Sequence, residues 1–188
     1  MNIYCAPRGE LGGHAAAYAL LRRVFARDYG GDLPIIEKTP NGKPFFPERP
    51  GIHFSISHTK THVLCALSNS PIGADIESPR YISRTALGFF ASPEELALFE
   101  PLDLWVLKES YLKLLGGTLP LVRKMRFGRV SNEIVLKSSV QGNNELAFDR
   151  SPLIFRLYKV DGCCAAVASA GAIPPGSIEL LFGLGDRG

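Results

Sequence analysis

From His14 to Tyr29 the residues Ala17, Tyr18, Leu21, Val24 and Phe25 recur at helical spacing, while Arg22, Arg23, Arg27 and Asp28 fall off that stripe. The pattern predicts an amphipathic helix, ended by Gly30-Gly31 because glycine readily takes the left-handed cap conformation. A second helix of the same design is predicted over Leu102–Leu115, with Leu104, Leu107, Tyr111 and Leu114 or Leu115 on its buried stripe and Gly116-Gly117 at its end. Alternating stretches predict a hairpin of Gly51–Ser57 with His62–Leu67, and another of Leu153–Val160 with Cys163–Ser169 across Asp161-Gly162. In the first, Ile52, Phe54 and Ile56 take the core face and His53, Ser55 and Ser57 the other. Ile72–Glu77 reads as a further strand.

The two helix ends match. Gly30-Gly31-Asp32-Leu33-Pro34 aligns with Gly116-Gly117-Thr118-Leu119-Pro120 at an offset of about 86 residues, which also pairs Leu21 with Leu107 and Phe25 with Tyr111. Each copy continues into a strand-like stretch, Leu33–Thr39 or Leu119–Val130, and then a hairpin. At the second hairpin the offset has grown to about 100, so an insertion is expected near Asn132–Arg150, with Gly142-Asn143-Asn144 as loop. The expected fold is α+β: two αβ halves, each a helix packed on a small antiparallel sheet, with residues 1–71 as the first copy and 72–188 as the second. Ser78–Leu102, holding Leu87, Phe89, Phe90, Leu96 and Phe99, has no counterpart in the first copy and is a candidate partner surface.

Composition narrows the class. Of 188 residues, 46% are hydrophobic and 21% charged, enough for a real core, so disorder and a disulfide-stapled miniprotein are poor readings. The formal charge of +3 is too mild to argue for nucleic acid. The four cysteines, Cys5, Cys65, Cys163 and Cys164, lack zinc-ligand spacing and read as reduced thiols of a cytoplasmic protein. No signal peptide or membrane-spanning run is expected.

Asp75 and Glu77 lie two apart on a strand, on one face, with backbones roughly 6–7 Å apart. Glu109 follows on the second helix, beside Lys108 and one turn before Lys113. Three carboxylates with lysines nearby suit a hard divalent ion that also holds phosphate oxygens. A solvated strand face and an ordinary Glu109–Lys113 surface pair fit the same spacing, which leaves both open. Phe54-Ser55-Ile56-Ser57-His58-Thr59 ends a strand in two hydroxyls and an imidazole, a plausible phosphate cradle or a hydrogen-bonded surface turn. Asn41-Gly42-Lys43-Pro44-Phe45 presents a lysine beside aromatic residues, or is a plain loop. The C-terminal Gly183-Leu184-Gly185-Asp186-Arg187-Gly188 spells a dinucleotide motif with no helix after it, and is rejected as one.

In order along the chain, Gly42-Lys43-Pro44, Phe54 to Thr59, Ile72-Gly73-Ala74-Asp75-Ile76-Glu77 and Trp105-Val106-Leu107-Lys108-Glu109-Ser110-Tyr111-Leu112-Lys113 resemble the 4'-phosphopantetheinyl transferase superfamily, most closely its surfactin-synthetase-activating, pseudo-dimeric type. The resemblance implies a monomer of two pseudo-twofold-related halves. It implies transfer of the phosphopantetheine arm of coenzyme A to a serine of an apo acyl or peptidyl carrier protein, with no nucleic-acid or membrane partner. It further implies magnesium on Asp75, Glu77 and Glu109, with Glu94 a further acidic position near the metal. Lys108 and Lys113 would neutralise phosphoryl oxygens, His58 with Ser57 and Thr59 would hold phosphate, and Lys43 and Pro44 would lie by the adenine. A longer basic segment usual before His14 is not expected here and Ala15 stands where a basic residue is common, which leaves two readings open: Arg8, Arg22 or Arg23 takes the 3'-phosphate, or dependence on that phosphate is weak. Competing readings are an inactive homologue that binds coenzyme A and carrier, a hydrolase using Ser57 and His58, and a nucleic-acid module using Arg22-Arg23 and Arg123-Lys124-Met125-Arg126.

Overall fold

A computed structural model describes residues 1–138, 151–182 and 184. The expected Gly142-Asn143-Asn144 loop and, apart from Leu184, the C-terminal glycine run lie outside them. The chain opens with β1 (Asn2–Pro7), a strand the periodicity above did not single out, followed by α1 (Gly13–Tyr29) and the ribbon β2 (Glu37–Lys38) with β3 (Pro44–Phe45). The hairpin β4 (His53–His58) and β5 (His62–Ser68) follows, then β6 (Ile72–Glu77), α2 (Arg84–Phe90), α3 (Pro93–Leu96) and α4 (Pro101–Leu115). After a 3-10 turn at Leu119–Lys124 come the hairpins β7 (Arg126–Val130) with β8 (Glu133–Ser138), and β9 (Leu153–Val160) with β10 (Cys163–Ala170), and last β11 (Glu179–Leu180).

Two of the expected strands are shorter than their apolar runs suggested. Leu33–Thr39 yields only β2, and Leu119–Val130 divides into the 3-10 turn and β7. Pro34 and Pro120 explain both, since proline has no N–H for a sheet and suits the first turn of a helix. The linking region folds into α2, capped by Ser83, and α3, which carries a reciprocal Ser92–Glu95 capping box.

The main sheets share one connectivity. In the first, β5 lies between β1 and β4, and in the second, β10 lies between β6 and β9, all antiparallel. Each is thus a strand, a helix and a returning hairpin whose second strand takes the centre. The tail departs from a clean division, because β11 pairs in parallel with β1 in the first sheet.

Strand alternation then builds layers. Tyr4, Ala6, Val63, Cys65 and Leu67 face α1, where Leu20, Leu21, Val24 and Phe25 are fully buried, each stabilising by roughly 1.5–3 kcal/mol relative to exposure. The opposite faces meet between the sheets: Ile3, Cys5, Leu64 and Ala66 pack against Ile72, Ala74, Ile76, Ala165 and Val167. Beyond the second sheet, Cys164, Ala166 and Ala168 carry α4. The order of layers is helix, sheet, sheet, helix, and all four cysteines are free and buried within it. No helix among the described residues is long and apolar enough to cross a membrane.

At Gly73 the backbone of α4 lies directly on β6. A Cβ there would sit 2.0 Å from the Ser110 carbonyl oxygen and 2.3 Å from the Leu114 nitrogen. Gly73→Ala is therefore expected to cost about 3 kcal/mol, as an overpacked site that only backbone movement relieves. Gly88→Ala, on α2 with nothing within 4 Å of the new Cβ, is expected to stabilise by up to about 1 kcal/mol. Urea unfolding of both variants checks the contrast.

Candidate active site

The edges of the two sheets meet at β4 and β6, and side chains join them. Ser55 Oγ accepts from the Ala74 N–H at 2.9 Å, and Ser57 Oγ donates to Asp75 Oδ1 at 2.7 Å. Ser55 and Ser57, on the face of β4 expected to oppose the core, are therefore buried too, with their hydroxyls used on the neighbouring strand, while His53 on the same face is half-buried. Above this seam opens a cleft of about 430 Å³ between α1 and α4. Its walls include His14 and Tyr18 from α1, Lys38, Lys43 and Pro44 from the ribbon, Ser57 and His58 from β4, and Glu109 and Lys113 from α4.

Asp75 is buried and meets the cleft through two residues of its wall, since Lys113 Nζ donates to the same Oδ1 at 2.8 Å. Glu77 Oε1 accepts from Trp105 Nε1 at 3.2 Å and from the Arg80 guanidinium at 3.4 Å. Glu109 has a buried Oε1 without a hydrogen-bond partner among the described residues. Burial, and next the negative charge of Asp75, push its carboxyl up to about 7, with Lys113 opposing the rise and Glu77 adding to it. The three carboxylates thus lie within electrostatic reach of one another. Among the described residues, no group of three or more His, Cys, Asp or Glu stands ready-arranged around a metal ion.

His58 is exposed, and its ring lies over Gly13, where a Cβ would come within 2.5 Å of Nδ1. Only glycine lets the imidazole rest on the start of α1. Lys43 Nζ donates to the Leu114 carbonyl at 2.6 Å, its stem packs over Gly116 at the end of α4, and burial lowers its pKa to about 8. This lysine ties the ribbon of the first half to the last turn of α4, where exposed carbonyls attract a cation.

Several expected site residues stand elsewhere. Thr59 does not line the cleft; its Oγ1 accepts from the backbone N–H groups of Thr61 and His62, closing the β4–β5 turn. Lys108 is fully buried on a different side of α4, donating to the Phe90 carbonyl, to the Met125 carbonyl at 2.9 Å and to Glu95 Oε2 at 3.0 Å. Neighbours on a helix point about 100° apart, so turning Glu109 to the cleft turns Lys108 into the core. Burial lowers the Lys108 pKa, and Glu95 opposes that shift. Glu94 is exposed, whereas Glu95 is buried and also accepts from the Ser92 and Phe127 backbone N–H groups. The Ser92-x-x-Glu95 spacing is the sequence signal of a capping box, one not singled out above, and it does not reveal the pairing of Glu95 with Lys108.

None of Arg8, Arg22 and Arg23 lines the cleft, and Arg23 donates to the Phe182 carbonyl. Its additional basic groups are His14, whose ring packs on Tyr18 with centroids 4.7 Å apart, and the exposed Lys38. Neither was singled out in the sequence, since an i, i+4 pair and a lone lysine on a short ribbon are ordinary features. Ser57 and His58 do not form a hydrolytic pair, because the Ser57 hydroxyl is given to Asp75. The basic run at Arg123–Arg126 is not a uniform exposed row: Arg123 lies over Phe89, Met125 is buried, and Arg126 donates to the Arg123 and Met125 carbonyls.

No family model matches the chain. Over 175 residues it is 34% identical to the 4'-phosphopantetheinyl transferase Sfp of Bacillus subtilis (strain 168), covering 86% of this chain and 75% of that relative. It is 30% identical over 154 residues to a 4'-phosphopantetheinyl transferase of Bacillus subtilis, covering 76% of this chain and 66% of the relative. With the 4'-phosphopantetheinyl transferase gsp of Aneurinibacillus migulanus the identity is 32% over 146 residues, covering 72% of this chain and 60% of the relative.

The two adjacent glutamates of α3 should behave oppositely. Glu95→Ala strands a buried ammonium and is expected to cost about 3–5 kcal/mol. Glu94→Ala, at an exposed position, should stay within about 0.5 kcal/mol of the parent. Chemical denaturation measures both.

Proposed function

Because this chain belongs to the 4'-phosphopantetheinyl transferase family, we propose that it moves the phosphopantetheine arm of coenzyme A onto a serine hydroxyl of an apo acyl or peptidyl carrier protein, releasing adenosine 3',5'-bisphosphate. The observation that carries this reading is the meeting of Glu109, Lys113 and His58 in one cleft, with Asp75 held directly behind it by Ser57 and Lys113. Phosphoryl transfer depends mainly on positioning and charge stabilisation, and the nucleophile belongs to the carrier, so the site needs none of its own.

In the proposed reaction the serine oxygen bonds to the phosphorus of the pantetheine phosphate, and the bond from that phosphorus to the departing bisphosphate oxygen breaks. Lys113 and His58 hold phosphate oxygens, and Lys43 and Pro44 shape the wall toward the adenine. Glu109, directly or through a water, accepts the serine proton. Asp75, Glu77 and Glu109 would hold magnesium, since an unpartnered buried carboxylate oxygen among three carboxylates suits a hard cation. Magnesium, when bound, supplies neutralising charge for the pyrophosphate.

The shared connectivity of the two sheets supports reading residues 1–71 and 72–188 as pseudo-twofold copies within a monomer. The first would supply the coenzyme A side, and the second the acidic side and the carrier contact. A cytoplasmic setting accords with four free thiols.

The reading is tested by incubating the protein with coenzyme A, magnesium and several apo carrier proteins and weighing the carriers by mass spectrometry. The expected result is a gain of one phosphopantetheine arm, abolished by EDTA and slowed on the order of 10²-fold or more by Glu109→Gln. No gain on any carrier, with coenzyme A binding intact, would overturn it in favour of an inactive binding homologue.

A further inference from the structure

Lys113 occupies an unexpected place among the acidic groups. Its position one turn after Glu109 would allow the ordinary helical pair, yet its ammonium is bonded across to β6, at 2.8 Å from Asp75 Oδ1, with the Ile56 carbonyl at 3.4 Å. Ser57 donates to the same Oδ1. Glu109, on its own helix, is left with a buried oxygen that has no hydrogen-bond partner among the described residues. The carboxylate of Asp75 is 8% exposed while the lysine side chain is 31% exposed, so the anion is held in place and the cation reaches it from the cleft. A lysine ammonium is a compact charge on a flexible stem, suited to moving between acceptors a few ångströms apart.

We propose that Lys113 is a stand-in cation: in the protein free of ligands it neutralises Asp75, and it passes to the phosphates of coenzyme A as a divalent ion takes its place on the carboxylate. This rests on the reading of Asp75, Glu77 and Glu109 as metal-holding residues. An ammonium at hydrogen-bond distance from Asp75 both repels an incoming divalent ion and competes for the same oxygen. A phosphate in the cleft draws the ammonium away and removes both obstacles. Metal and coenzyme A must then bind with positive coupling, each raising the affinity of the other by the same factor. Lys113 would be the residue that transmits the coupling.

The test is titration of the full chain with Mn²⁺, followed by electron paramagnetic resonance, with and without coenzyme A. Wild type should bind Mn²⁺ more tightly when coenzyme A is present. Lys113→Met should bind Mn²⁺ alone about fivefold more tightly than wild type, the scale of a partly exposed ion pair, and coenzyme A should then add little. Lys113→Arg should stay near wild type. Lys38→Met removes the same charge from the cleft wall without touching Asp75, so it should change Mn²⁺ binding less than Lys113→Met. Lys113→Gln serves as a second neutral variant, and circular dichroism establishes that each is folded. If Lys113→Met and Lys113→Gln bind Mn²⁺ no more tightly than wild type while coenzyme A still promotes uptake in all of them, the stand-in role is overturned and the metal reading stands. If no protein binds Mn²⁺ with or without coenzyme A, both are overturned.

Discussion

The seating of α4 on β6 at Gly73 is the contact on which the site depends. Strand and helix backbones come so near that no side chain fits between them, with Ser110 and Leu114 filling the space a Cβ would need. Asp75 and Glu77 then face the same helix that carries Trp105, Glu109 and Lys113, and every polar contact among them follows from this register. With a larger residue at position 73 the helix would stand off, and Lys113 would no longer reach Asp75.

Burial makes the arrangement chemically consequential. A carboxylate out of water is costly unless it is hydrogen-bonded and paired, and Asp75 has both a hydroxyl and an ammonium on one oxygen. Glu109 Oε1 is buried with no hydrogen-bond partner among the described residues, and the raised pKa of this carboxyl expresses the same cost in another form. Around these groups the two halves supply opposite walls: α4 brings carboxylate and lysine, while α1, β4 and the ribbon bring imidazoles and two more lysines. Lys43 crosses between them and caps the end of α4.

The helix from Pro101 to Leu115 shows how one short stretch serves separate ends. Lys108, adjacent in sequence to Glu109, is buried with Glu95 and joins the ends of α2 and α3 to the start of β7. Lys113, five residues later, reaches the cleft. Identical side chains on one helix thus become a core ion pair and a cleft cation, solely through the angle at which each leaves the helix axis.

Periodicity and turn chemistry determined much of the frame from sequence alone. Both long helices, their glycine ends, the strand Ile72–Glu77 and both expected hairpins follow from local rules, down to Asp161 and Gly162 with the positive φ angles of 45° and 75° that a tight hairpin turn demands. Spacing also marked Asp75, Glu77, Glu109 and Lys113 as candidates, while leaving a solvated strand face and an ordinary helical pair open; of these, Glu109 and Lys113 line the cleft and Asp75 lies behind it. Local rules could not reveal that Ser57 serves Asp75, that Lys108 lies in the core, that Thr59 closes a turn, or that Glu95 rather than Glu94 is the buried partner. Those outcomes depend on which faces are covered by elements distant in the chain, and sequence periodicity reports a face without saying what packs against it. Tertiary structure decided them, because the burial of a charge is tolerated only where a partner from another segment arrives to share it.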